Sequence, residues 1–153
     1  MTDAREYLES IRSLEIRIQM KIRQVKKLRD SLTSITAPMD KEQVTHTKNV
    51  GIMADTIAAI IDIENMIDQQ TRELTIKKRD GISCLDRIQA QSANVLSGYY
   101  IEGKSTEQLG KELFLSRRQV QRRIKEAMVE FQLAMKQSNT SYSAVKTNSI
   151  DLT

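Results

Sequence analysis

One cysteine (Cys84), one histidine (His46), one proline (Pro38), five glycines and no tryptophan among 153 residues remove several protein classes at the outset. A single thiol excludes an internal disulfide and any multi-cysteine zinc site. A single imidazole removes most hydrolytic and metal constellations, and His46 has no ligand partner near it in sequence. No acid/base pair, nucleophile with its base, or phosphate-cradling glycine loop is legible, so an enzyme is the least supported class and no cofactor is expected. No apolar run approaches the roughly 20 residues of a membrane span. The opening MTDAREYLES has no signal-peptide pattern, so the expected location is the cytoplasm. The shortage of glycine and proline leaves few turn signals to interrupt amphipathic segments, and 29% of residues are charged. That balance predicts an all-α protein whose 39% hydrophobic content serves helix seams rather than one large core.

What the chain does have is local positive charge. Between Lys104 and Lys125 stand seven basic residues against Glu107 and Glu112; this window is +5 within a chain of +4, which leaves −1 for everything else. Basicity gathered in one window is the footprint of a polyanion site rather than of a generally adhesive surface.

From Asp3 to Ser34 the apolar residues recur every seventh position. Ala4, Ile11, Ile18, Val25 and Leu32 form one row and Tyr7, Leu14, Lys21 and Leu28 the other, with Lys21 the polar interruption. Branched residues in the first row with leucine in the second favour two-stranded coiled coils. Thr33 to His46, with Pro38, reads as a loop. A second long helix is predicted over Thr47 to Lys78, with Val50, Met53, Ile57, Ile60, Ile67 and Leu74 as its apolar face, widened by Ala54 and Ile61. Two such helices suggest an antiparallel hairpin, with each seam open to the other helix or to a second chain. The expectation is a homodimer through these N-terminal helices. The run Lys77-Lys78-Arg79-Asp80-Gly81 has the marks of a helix end, although an uninterrupted helix through Gly81 would cost only ~1 kcal/mol. The predicted division is therefore an oligomerisation region over 1–80, a second domain over 82–137 and a disordered tail over 138–153, rich in Ser, Thr and Asn. Within the second domain, Ile82 to Ile101 reads as a third helix with Leu85, Ile88, Val95, Leu96 and Tyr99 inward. Cys84 reads as a structural thiol.

Ser105 with Gln108, and Ser116 with Gln119, are two capping boxes eleven residues apart. Leu115 and Val120 are placed to form a hydrophobic staple, and Leu109, Leu113 and Ile124 complete a small shared core with Gly110 permitting close approach. Phe114 stands in the turn, where many helix-turn-helix motifs place glycine. The pattern predicts a helix-turn-helix with its second helix over 116–126. Wound at 3.6 residues per turn, that helix puts Val120, Ile124, Ala127 and Phe131 on one face and Arg118, Gln121, Arg122 and Lys125 on the other. Guanidinium suits guanine O6/N7 and a glutamine amide suits adenine N6/N7, so Arg118, Gln121 and Arg122 are the candidate base-contacting residues. Lys104, Ser116, Arg117, Arg123 and Lys125 are the candidate phosphate contacts.

Val95-Leu96, the run Tyr99-Tyr100-Ile101-Glu102-Gly103-Lys104-Ser105 and the following LGKELFLSRRQVQRRIKEAM resemble region four of bacterial sigma factors and the sigma-like helix-turn-helix domains, over Leu85 to Phe131. Paired N-terminal helices followed by such a domain are similar in layout to small phage regulators, including the ArpU-like late-gene activators. The resemblance implies a dimeric regulator of transcription, phage-encoded and working in a bacterial host. Its partner would be double-stranded DNA, with contact to bacterial RNA polymerase through the N-terminal helices left open. Two other readings stay open: a phage DNA-packaging protein resembling a small terminase subunit, and a coiled-coil interaction protein.

Overall fold

The computed structural model describes the backbone of residues 3–36 and 44–148 and the side chains of 3–34 and 49–138. Apart from short connections, the described residues are helical, with no strand among them. The helices are α1 (Ala4–Thr36), α2 (Val44–Leu85), α3 (Ala90–Leu96), which runs into a π-helical turn (Ser97–Ile101), α4 (Thr106–Leu113) and α5 (Arg117–Asn148). No helix among the described residues is long and apolar enough to cross a membrane. The expected loop around Pro38 falls largely outside the described residues, as does the side chain of His46.

Contacts divide the chain within α1 and α2 rather than at Gly81. One unit joins the first turns of α1, through Ser13, to the chain from Thr75 onward; the other is Leu14–Leu74. Helix α2 continues through Gly81 to Leu85, which corrects the helix end read from the basic run before it. Gly81 is buried with the Tyr7 ring and the Ile11 methyl beside it. The Tyr7 hydroxyl donates to the Lys77 carbonyl at 2.6 Å, and Lys77 Nζ donates to Ser10 Oγ at 3.1 Å. Tertiary packing on that stretch outweighs the small propensity cost of one internal glycine.

The Leu14–Leu74 unit buries Leu14, Ile18 and Val25 of α1 and Ile60 and Leu74 of α2. On α2 the half-buried Met53, Thr56, Ile63, Ile67 and Gln70 fill the same three-and-four spacing, and Arg29 pairs with Glu64. Each buried Leu or Ile contributes roughly 1.5–3 kcal/mol. The inward row on α2 is narrower than its full set of apolar residues. Val50, Ile57 and Ile61, expected on the buried face, are exposed with Ala54 as a separate stripe. A strict seven-residue seam selects one row and leaves its apolar neighbours outside.

The other unit has Leu8, Ile11, Val95, Leu96, Leu109, Val120 and Phe131 at its centre. Tyr7 stacks on Phe131 with ring centroids 6.5 Å apart, and the Ala4 amide donates to Gln132 Oε1 at 2.7 Å, so the start of α1 lies along α5. The predicted third helix is broken in two. Ile82 to Leu85 belong to α2, and the tightened bonds from the Arg87 amide to the Cys84 carbonyl and from the Ile88 amide to the Leu85 carbonyl end that helix before α3 begins. The π turn is closed by the Glu102 amide donating to the Ser97 carbonyl at 2.9 Å. It buries Tyr100 and Ile101 and turns the Tyr99 carbonyl toward Arg12. Arg12 Nη1 donates to that carbonyl at 3.0 Å, and its guanidinium lies 4.0 Å from the Tyr99 ring centroid. Cys84 is buried, which pushes its thiol pKa up, as expected of a structural cysteine. The helical backbone of α5 reaches Asn148, so residues 138–148 are not the irregular tail that their composition suggested. That stretch has no glycine or proline to stop a helix already propagating.

Candidate nucleic-acid interface

Four local features set the path from the π turn to α5. Gly103, at φ +72°, turns the chain after Glu102. Ser105, extended at φ −75° and ψ 161°, caps α4: its hydroxyl accepts from the Gln108 amide at 3.1 Å while Gln108 Oε1 accepts from the Ser105 amide at 3.0 Å. Phe114 ends α4 in the left-handed conformation, φ 56° and ψ 42°, where its amide donates to the Gly110 carbonyl. Ser116 then caps α5 in the same reciprocal manner, with bonds of 3.2 Å from the Gln119 amide to Ser116 Oγ and 2.8 Å from the Ser116 amide to Gln119 Oε1. Both capping boxes read from the sequence are formed.

Gly110 is fixed by space. A Cβ there would meet the Leu115 carbonyl oxygen at 2.7 Å, and that oxygen belongs to backbone. The Leu115 amide donates back to the Gly110 carbonyl at 2.8 Å, so the turn folds directly over this residue. Of the expected shared core, Leu109 and Val120 are buried, and Leu113, Leu115 and Ile124 half-buried.

Beyond the cap, α5 sorts its residues by face. Val120, Ala127, Phe131 and Ala134 are buried; Arg118, Gln121, Arg122 and Lys125 form an exposed stripe at helical spacing, with Arg117 and Arg123 exposed beside it. Among the described residues, none of these five cations takes part in an ion pair or hydrogen bond. Lys104 is different. Its ammonium bonds Glu102 at 2.8 Å and Glu112 at 2.9 Å, and those hydrogen bonds, Glu102's first, raise its pKa. The sequence window counted seven cations together, but the fold sets Lys104 between two carboxylates and leaves the α5 cluster unneutralised.

The residue whose role the sequence did not bring out is Phe114, which is 94% exposed. For a bulky residue a left-handed conformation is an outlier, costing roughly 1–2 kcal/mol. Its place at the position where such turns take glycine was the available signal. No group of three or more His, Cys, Asp or Glu able to hold a metal occurs among the described residues. The chain matches no protein-family model, no curated protein and no solved structure.

Proposed function

We propose that the protein binds double-stranded DNA in a sequence-specific manner and regulates transcription, with α4 and α5 acting as a helix-turn-helix and the first three turns of α5 entering the major groove. One observation carries the reading: Arg117, Arg118, Arg122, Arg123 and Lys125 lie exposed and without a carboxylate partner on the first turns of a rigidly capped helix. Unneutralised cations on a preorganised element are what a phosphate backbone attracts. In this reading Arg118, Gln121 and Arg122 face base edges, and Ser116, Arg117, Arg123 and Lys125 hold phosphates. Lys104, held by Glu102 and Glu112, is a weaker phosphate contact than its charge alone implies.

The N-terminal helices would form the hairpin, and the exposed stripe Val50, Ala54, Ile57 and Ile61 supports pairing of two chains through it. A dimer would then address half-sites about 34–36 Å apart or a multiple of that. The phage origin and the bacterial host follow from the layout shared with small phage regulators, and contact with RNA polymerase from the resemblance to sigma region four.

Selection of binding sequences from a random duplex pool, followed by titration at several salt concentrations, tests this. The expected outcome is an enriched motif and an affinity that falls steeply with salt. Arg122→Ala is expected to reduce discrimination at one base pair by ~1–3 kcal/mol, and Arg123→Ala to weaken all sequences alike. Unchanged site-specific affinity after Arg118, Gln121 and Arg122 are all replaced by alanine would refute the assignment. A ring of many subunits in solution would point instead to DNA packaging.

A further inference from the structure

The proposed DNA face makes no use of the Phe114 ring, which the left-handed turn holds almost fully in water. Lys111 stands three residues before it and is exposed. The same unit carries a complementary feature. A cleft of about 400 Å³ opens between the end of α2 and α3, walled by Ile82, Leu85, Ile88 and Ala93 together with the polar Asn94 and Ser97, with the exposed Asp86 carboxylate at its rim. The cleft is open to solvent on one side, and its volume leaves room for one phenyl ring.

Ring and cleft sit far apart along α5. Arg87, between Asp86 and Ile88, donates to Ser138 Oγ, which places the cleft beside that part of the helix. Phe114 precedes the other end, roughly 30 Å away at 1.5 Å per residue. They therefore cannot meet within one chain. We propose that the Phe114 ring of one chain seats in the Ile82–Ala93 cleft of a second copy, with Lys111 facing the Asp86 carboxylate. The charges match across such a contact, and the aromatic side chain that fills the cleft is withdrawn from water. Because knob and socket are different surfaces, the contact is head-to-tail and links copies in series. It is distinct from pairing through the N-terminal helices and does not depend on DNA.

Sedimentation velocity of the full chain over a concentration series, without DNA, reads the contact directly. The wild type is expected to form species beyond its basal oligomer as concentration rises. Phe114→Gly is expected to move that transition about tenfold or more upward in concentration, as loss of an aromatic anchor does. Its melting temperature should not fall, since glycine adopts the left-handed conformation freely. Asp86→Lys should have a similar effect, and adding Lys111→Glu should restore association. Oxidising a mixture of Phe114→Cys and Ala93→Cys chains, each also carrying Cys84→Ala, should give an interchain disulfide that neither variant forms alone. The proposal is overturned if wild type and Phe114→Gly sediment alike at every concentration, or if the mixed disulfide fails to form while the Phe114→Gly effect persists. Unchanged self-association with weakened DNA binding by Phe114→Gly would overturn it too, assigning the ring to nucleic acid.

Discussion

From Ser105 through α4 to the start of α5 almost every residue named above has a single task, whereas in Leu14–Leu74 one task recurs every seven residues. Ser105 and Ser116 cap, Gly110 leaves room for a carbonyl, and Phe114 reverses the backbone. Along the seam, by contrast, Ile18, Val25 and Ile60 do the same work as their neighbours in the row. The difference lies in where the information resides. A turn stores it in residue identity at one place; a seam stores it in period, so one flawed position such as the half-buried Lys21 leaves the rest in register. Two of the helix-interior glycines, Gly110 and Gly81, show a similar contrast. Gly110 faces backbone at 2.7 Å, while a methyl at Gly81 would sit 3.5 Å from the Ile11 methyl and 3.6 Å from the Tyr7 ring, ordinary contact distances.

The sharpest way to break this contrast is Gly110→Ala. It should destabilise by ~1–3 kcal/mol, because the obstructing atom is a main-chain oxygen that moves only with the turn. Urea denaturation measures it, and a change near zero would show that the turn is as forgiving as the seam. Next in size is Ser116→Ala, which removes the hydroxyl that accepts from the Gln119 amide. A loss of ~0.5–2 kcal/mol is expected by the same measurement, together with faster amide exchange at Gln119. The smallest effect runs the other way. Gly81→Ala should raise stability by up to ~1 kcal/mol through helix propensity, with the methyl in ordinary contact with its neighbours. A destabilised Gly81→Ala protein would mean that α2 needs its glycine for close packing after all, and the comparison of the two sites would collapse.

The sequence carried some of these features in plain view. Caps at Ser105 and Ser116 are legible because a reciprocal side-chain bond needs a fixed residue pair three apart, and nothing distant can mimic it. The buried row on α1 is legible because its period is regular. The path of α2 through Gly81 was not, since late basic residues followed by glycine are a local stop signal, and the packing of Tyr7 and Ile11 that overrides it comes from 70 residues away. The break after Leu85 was hidden likewise: apolar residues from Ile82 to Ile101 keep helical spacing across it. At the candidate interface, the face carrying Arg118, Gln121, Arg122 and Lys125 followed from angular spacing alone. The pairing of Lys104 with Glu102 and Glu112 required the turn at Gly103 to bring three side chains together.

The π turn at Ser97–Ile101 holds one residue more than an α-helical path between the same points would need. It therefore absorbs that residue locally, and the chain on either side keeps its phase. Deleting one residue from it would let an α-helical path join the same points. Val95 and Leu96 would stay in the core, while the bulge that turns the Tyr99 carbonyl toward Arg12 would be lost. A one-residue gap inside these five positions thus marks a protein without the Arg12 contact, not one whose two halves are phased differently.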